Sequence, residues 1–285
     1  MTATPATPAK PPMSPTLPRF WAELGTRDFA TLDPATTVAV LPLGATEQHG
    51  PHLPLGVDTV IADGIVQTAL PLLPADLPAL FLPTLPVGLS PEHARFAGTL
   101  TLSSETVLRL WKEIGAGVAR AGVRKLVLFN AHGGHTGAMD VAARELREAH
   151  DLIVYSLSWF NLPLTDATTG QPLVPDRFDV HAGEFETSLM LALAPQQVRR
   201  EAAKDFPSTS RERARDYAIL GNGRSAKLGW AMQDYHPEGA AGNAAAATEA
   251  QGRALLDAAA RGLAQALAEV SRLPLATLGA DPPRR

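Results

Sequence analysis

Residues 38–58 read VAVLPLGATEQHGPHLPLGVD, and the fold turns on how this stretch is divided. An apolar run ends near Gly44, and an amphipathic pattern begins at Asp58. The first spacing predicts a strand over Thr37–Leu43 and the second a helix over Asp58–Leu73. Between them, carboxylates and imidazoles crowd among glycines and prolines. Open α/β sheets hold their ligands at strand-to-helix turns of this kind, so Glu47, His49, His52 and Asp58 are expected along one crevice edge. Taken singly, each has a plainer reading: Asp58 as a helix N-cap, Glu47 as a surface charge, the histidines as loop residues.

Working outward, strand and helix patterns keep alternating. Strands are expected at Ala79–Leu82, Lys125–Phe129 (KLVLF) and Leu152–Leu157, and helices at Ser104–Ala121, Thr136–His150, Glu186–Leu193 and about Ala245–Val270. Such alternation implies a mostly parallel, mixed sheet covered on both faces, an α/β fold of the three-layer α/β/α sandwich type. No linker or repeat divides the middle, so a single domain is expected over residues 18–274. Residues 1–17, rich in Pro, Thr and Ala, and the tail 275–285 are expected to be flexible. Two Pro-rich segments, 82–102 and 160–179, are long enough to be functional loops.

Two further clusters fall at similar positions. KLVLF runs into NAHGGHTG, which brings His132 and His135 to a strand end; the plain alternative is a phosphate-binding turn with Gly133 and Gly134 at a helix N-terminus. DVHAGEFETSLML places Asp179, His181, Glu184 and Glu186 before an apolar helix, where the two glutamates could simply complement the helix dipole. Imidazoles mixed with hard oxygen ligands suit Zn, Mn or Fe(II), and a carboxylate shared by two ions makes a two-metal hydrolytic site. Two weaker motifs carry less. GNGRSA at residues 221–226 matches a degenerate dinucleotide fingerprint without the strand and helix it requires. HGGH resembles an oxyanion loop, but no G-x-S-x-G elbow exists to supply a serine.

Composition narrows the classes. The 285 residues are 45% hydrophobic, enough for a substantial core, and carry 25 Lys and Arg against 29 Asp and Glu, a net charge of −4. With no basic excess, nucleic acid is not an expected partner. The absence of cysteine removes disulfides, thiol nucleophiles and thiolate zinc sites, leaving His, Asp and Glu as metal ligands. No signal-peptide core or membrane-spanning run is read, so no membrane partner is expected and a cytoplasmic location is.

Five motifs in order, LPLGATEQHGPHLPLGVD, SPEHARFAGTLTL, FNAHGGHTG, HAGEFETSLML and GAAGNAAAATEAQG, resemble the creatininase (creatinine amidohydrolase) family over about Val38–Gly252. The resemblance implies an α/β/α sandwich assembled as a homo-oligomer, usually a hexamer, with two divalent metal ions per subunit that activate water against a C–N amide bond of a small-molecule amide: a lactam, a formamide or a short peptide. It also implies that Glu47 and His132 hold one metal, His49 the other, and that Asp58 bridges them. His181 is the expected general acid for the leaving nitrogen, because an unperturbed imidazole titrates near 6.5. Creatinine-hydrolysing members resemble N-G-H-Y-E-N where this chain has Asn130 to His135, so an aromatic side chain and a metal-binding Glu give way to Gly133 and Gly134. That departure points away from creatinine and toward an HGG-type branch whose members cleave formamides or trim a peptide. Trp159 is expected to supply an aromatic wall beside those glycines. Glu186 is expected to replace the missing ligand and share in catalysis: three, four and seven residues beyond it lie Leu189, Met190 and Leu193, an apolar stripe, whereas Glu184 leads to Thr187 and Ser188. A non-catalytic metal-binding protein of the same fold is the alternative, and it would have no need of a proton-transfer residue. His52, His93 and His135 are left without a role.

Overall fold

The computed structural model describes residues 18–279, so the arm 1–17 and residues 280–285 lie outside it. Four strands, β1 (Val38–Leu43), β2 (Ala79–Phe81), β3 (Lys125–Asn130) and β4 (Ile153–Ser158), form a sheet in the order β2-β1-β3-β4. Every pairing is parallel, with Val38 opposite both Ala79 and Lys125, and Lys125 opposite Ile153. All six residues of β1 and of β3 are buried, the mark of central strands covered on both faces.

The chain leaves β1 toward β2 through α1 (Val57–Ala69), then returns past β1 to β3 through α2 (Ser104–Arg120) and on to β4 through α3 (Thr136–His150). Right-handed crossovers running in opposite directions put α1 on one face and α2 and α3 on the other. Alternate residues of β1 sort accordingly: Val38 and Val40 pack with Ile61, Ile65, Leu189 and Leu255, while Ala39, Leu41 and Leu43 pack with Trp111, Val118 and Leu146. The first face is completed by α4 (Glu184–Leu193) and the last long helix. Between these two helices lie a two-residue ribbon, β5 (Asp205–Phe206) with β6 (Gly242–Asn243), and the short α5 (Ser210–Asp216), after which α6 (Glu249–Arg272) closes the layer. A side chain at Gly252 would run into the Ser188 carbonyl, so this glycine sets how closely α6 approaches α4.

Some expectations need correction. The sheet is wholly parallel among the described residues rather than mixed; antiparallel pairing is confined to the β5–β6 ribbon and single bridges. Helix α1 stops at Ala69 and passes into a 3-10 turn at Leu70–Leu72, where Pro71 has no N–H to continue the ladder. Helix α4 begins at Glu184, two residues early, and α6 at Glu249, four residues late, because the Thr248 hydroxyl accepts from the Gln251 N–H. Leu275–Thr277, expected as the start of the tail, form a 3-10 turn.

With β1 flanked by β2 on one side and β3 on the other, the connections diverge between β1 and β3. The crevice outside their C-terminal ends is the switch point where such sheets bind ligands.

Candidate metal centre

Three turns deliver their side chains into that crevice. Glu47, Gln48 and His49 follow β1, His132 follows β3, and Asp58 stands in the first turn of α1. Asp58 does not cap its helix; Gly56 holds the N-cap position. Glu47, His49 and Asp58 are each at most 1% exposed.

Each imidazole is locked through one nitrogen by a backbone carbonyl. Nδ1–H of His49 donates to Glu47 O (3.0 Å), Nε2–H of His132 to Leu89 O (2.9 Å), and Nε2–H of His181 to Gln48 O (2.7 Å). In a neutral ring the other nitrogen carries a lone pair, and all three of these nitrogens face carboxylates. Nε2 of His49 lies 3.4 Å from Asp58 Oδ1, and Nδ1 of His132 lies 3.2 Å from Glu47 Oε1 and 3.4 Å from Asp58 Oδ2. Nδ1 of His181 is 3.8 Å from Glu47 Oε1. Both oxygens of Glu47, Nε2 of His49 and Oδ2 of Asp58 are buried without a hydrogen-bond partner. Lone pairs turned on carboxylates repel unless a proton or a cation lies between them. Charge-assisted hydrogen bonds would close to about 2.7–2.9 Å. Ligands of a tetrahedral ion at about 2.1 Å instead stand about 3.4 Å apart, the spacing found here. The donor set therefore fits a divalent cation, and the carbonyls behind the imidazoles are the outer partners that metal-bound histidines normally have.

Among the described residues, three groups bring ligand atoms within 4.8 Å of one another: Glu47, Asp58 and His132; His49, His181 and Glu186; and Glu47, His93 and His181. The electrostatics reflect this crowding. Burial lowers the affinity of His49 for a proton, but Asp58, Glu186 and Glu47 outweigh it and raise its pKa to about 9. His132 is raised in the same way against burial, chiefly by Glu47. Asp58 is held well below the usual carboxylate range, where the neighbouring His49 and His132 overcome burial. Burial, then the positive neighbour His49, lowers His181 to about 4, so it is neutral at neutral pH. Burial raises Glu186, and burial with Glu186 nearby lifts Asp179 to about 7.

Glu186 and Glu184 are both half-buried, so burial does not separate them as the stripe reading required. Direction does. Glu186 lines the crevice and accepts from the Ala182 N–H at 2.6 Å, whereas Glu184 accepts from Gln251 Nε2 on α6 at 2.9 Å. Ala182 sits at φ +53°, a left-handed kink between His181 and the start of α4.

The crevice opens into a pocket of about 380 Å³, walled in part by Trp159, Phe160, Gly133 and Gly134. Trp159 follows β4, is buried, and its indole N–H has no hydrogen-bond partner. At Gly134 an added side chain would collide with the Glu92 carboxylate and the His132 ring. Glu92, whose Oε1 is 3.5 Å from His132 Nε2, thus fills the volume that a side chain at position 134 would need.

The sequence reading gave no role to three residues here. His93 accepts from Gln48 Nε2 at 2.7 Å through Nδ1, points Nε2 at Glu47 Oε1 (3.4 Å), and lies 4.3 Å from His181 ring to ring. Glu92 and Trp230 also line the pocket. The motif SPEH was a usable signal for the first two; Trp230 stands in a long loop with none. His52 and His135 lie outside the ligand groups. His52 bonds Thr187 Oγ1 (2.9 Å) and stacks on Phe206, and His135 bridges Asn130 Oδ1 (3.0 Å) and the Leu89 N–H (3.1 Å). GNGRSA follows α5 without a preceding strand, so it has no dinucleotide-binding context.

A parallel three-layer sandwich with buried imidazoles and carboxylates at its switch point defines an α/β protein with a metal-competent site. The family model described as Creatininase, creatinine amidohydrolase, matches residues 22–267. The chain belongs to the creatininase family, and with it to the hydrolases. A mycofactocin precursor peptide peptidase of Mycobacterium tuberculosis (strain CDC 1551 / Oshkosh) is 39% identical over 186 residues, 63% of this chain and 67% of that one. A creatinine amidohydrolase of Pseudomonas putida is 33% identical over 204 residues, 66% of this chain and 76% of that one. A crystal structure of creatinine amidohydrolase (creatininase) superposes with a TM-score of 0.69 at 30% identity, covering 88% of this chain and 97% of its own. Similar creatininase structures are described as a manganese form (28% identity, TM-score 0.66, 88% of this chain and 98% of its own) and as a Zn–Zn form of a variant (29%, 0.69, 88% and 97%). No helix among the described residues is long and apolar enough to cross a membrane.

Proposed function

We propose that this chain is a metal-dependent amidohydrolase that cleaves a peptide C–N bond. One observation carries the reading: three imidazoles, each fixed by a backbone carbonyl, turn their other nitrogen to Glu47 and Asp58, of which both Glu47 oxygens and Asp58 Oδ2 are otherwise buried and unpartnered. Glu47, Asp58 and His132 would hold one divalent ion, and His49 and Glu186 a second, with Asp58 between them because its two oxygens face His49 and His132 separately. When bound, such ions polarise an amide carbonyl and lower the pKa of water toward neutrality.

The chain's own residues supply the rest. His181, neutral and tethered at Nε2, has Nδ1 free to take a proton from water and return it to the leaving nitrogen. Trp159 offers an indole N–H to a substrate oxygen, and Trp159 with Phe160 screens the amide from bulk water. With Glu92 in the space beside Gly134, the pocket differs from one built around an aromatic residue and a Glu at that turn, which disfavours creatinine. The 39% identity to a peptide peptidase supports a peptide.

The test is a mass-spectrometric screen of the Mn- or Zn-loaded protein against short peptides, formamides and lactams, creatinine included. Peptide cleavage that a chelator stops and added metal restores is the expected result. Creatinine hydrolysis at about 1–10³ per second, with peptides untouched, would refute the peptide reading.

A further inference from the structure

Beside the catalytic pocket lies a second chamber of about 460 Å³, open to the surface, with Arg177, Arg224 and Lys227 exposed along it. The two share Arg177, Val180 and Trp230 in their linings, so they lie side by side. Their charges are opposite. Six carboxylates line the catalytic pocket, namely Glu47, Asp58, Glu92, Asp176, Asp179 and Glu186. The second chamber has no acidic residue in its lining and four cations: Arg177, Arg213, Arg224 and Lys227. Two acids nearby are engaged elsewhere, Asp176 with Arg211 (2.7 Å) and Asp216 with Arg215 (2.6 Å), and among the described residues none of the four cations forms an ion pair.

Two of the four cations are held by rings. The guanidinium of Arg213 lies 4.8 Å over the Tyr235 ring and donates through Nη1 to Thr209 Oγ1 at 2.9 Å, while its Nη2, shielded from solvent, has no partner. Arg177 lies 4.4 Å over Phe178, and Tyr235 meets Trp230 edge to face at 4.8 Å. A guanidinium stacked on a ring can still present its N–H edge to a carboxylate, as the exposed Arg177 does, while Arg213 holds one shielded N–H with no partner.

We infer that this chamber is a carboxylate-binding subsite: the substrate carries an anionic group a short distance from its scissile amide, which the four cations seat while the neutral amide lies against the acidic pocket. The inference rests on the amidohydrolase reading and gives its substrate a chemical class, a peptide ending in or bearing a carboxylate. The turn that holds GNGRSA, idle as a nucleotide motif, then has a use as part of this wall.

The test is calorimetric titration of the metal-loaded protein with three probes: acetyl-Gly-Ala-Glu, acetyl-Gly-Ala-Gln and the neutral acetyl-Gly-Ala-Gln-amide, with hydrolysis followed in parallel by mass spectrometry. The two acids should bind at least about tenfold more tightly than the amide, and the gap should narrow with salt. Comparing the two acids separates a side-chain carboxylate from a terminal one. Arg213→Gln should erase most of the gap, as should Arg224→Gln with Lys227→Gln, two exposed positions whose change leaves the melting temperature unaltered. Equal affinity for all three probes, or a gap that survives in both variants, overturns the subsite. A charge preference without hydrolysis of any peptide keeps the subsite and refutes the peptide-cleaving reading; hydrolysis without a preference does the reverse.

Discussion

The turns after β1 and β3 carry the same four-residue pattern, a histidine at each end: His49 to His52 in HGPH and His132 to His135 in HGGH. In both, the first histidine reaches the crevice and faces carboxylates, and the second turns away into packing. His49 and His132 have proton affinities raised by Asp58 and Glu47 against the pull of burial. His52 and His135 are lowered, first by burial and then by those same cationic neighbours. Position relative to the strand end, rather than residue type, decides which imidazole faces the carboxylates and which holds a loop.

The largest effect that could break this contrast is at the first histidines. His49→Ala or His132→Ala should lose bound metal and all measurable hydrolysis, while His52→Asn and His135→Asn keep metal stoichiometry by elemental analysis. A His52 variant short of metal would erase the distinction. Next come the glutamates: Glu186→Gln should lose one of two ions and most activity, and Glu184→Gln should keep both, since its carboxylate is spent on Gln251. Two tightly bound ions in the Glu186 variant would remove it from the site. His181→Ala should cut turnover by about 10²–10⁴-fold with metal content unchanged. Loss of an ion instead would make His181 a ligand, as its place in two of the three ligand groups also allows.

Smaller effects should appear in stability. Chelation should lower the melting temperature, because Glu47, Asp58 and Glu186 repel one another once the cations leave; an unchanged value with metal loss verified would count against that. The smallest expected effect is the pH response of His52. Burial, then His49, depresses its folded pKa to about 4, below the unfolded value near 6.5. Its contribution is therefore complete above pH about 6.5 and is lost as the pH falls toward 4. In chelated protein, His52→Gln should flatten the melting temperature over that window, and an unaltered slope would show that another group is responsible.

Much of the fold was legible because β1 and β3 are long, buried and apolar; the start of α6 was missed, although Thr248 with Gln251 three residues on is a capping pattern. The β5–β6 ribbon, two residues per strand, is too short to leave a periodic trace. Among the candidate ligands, Glu47, His49 and His132 could be picked out because they follow strand ends, and Asp58 because it opens the next helix. Glu92 and His93 had a signal in SPEH, but where they point is set by the tertiary path of their loop, and Trp230 had no signal. The apolar stripe does not distinguish Glu186 from Glu184, because the helix is buried nearly all round: Thr187 and Ser188 are as covered as Leu189 and Met190. What separates the two acids is the 2.6 Å tether to the Ala182 N–H, invisible to periodicity.

That tether depends on the left-handed backbone of Ala182. A residue with a Cβ in this conformation costs about 1–2 kcal/mol, and glycine would remove the cost. Glycine would also give the unfolded chain more freedom to lose, by about 0.5–1 kcal/mol, so the net gain in stability is small. The two residues differ more in the folded state, where alanine narrows the arc through which the His181 and Glu186 backbones swing relative to one another. Retaining alanine trades ease of folding for stiffness at the joint between an imidazole and a carboxylate that must face the same point.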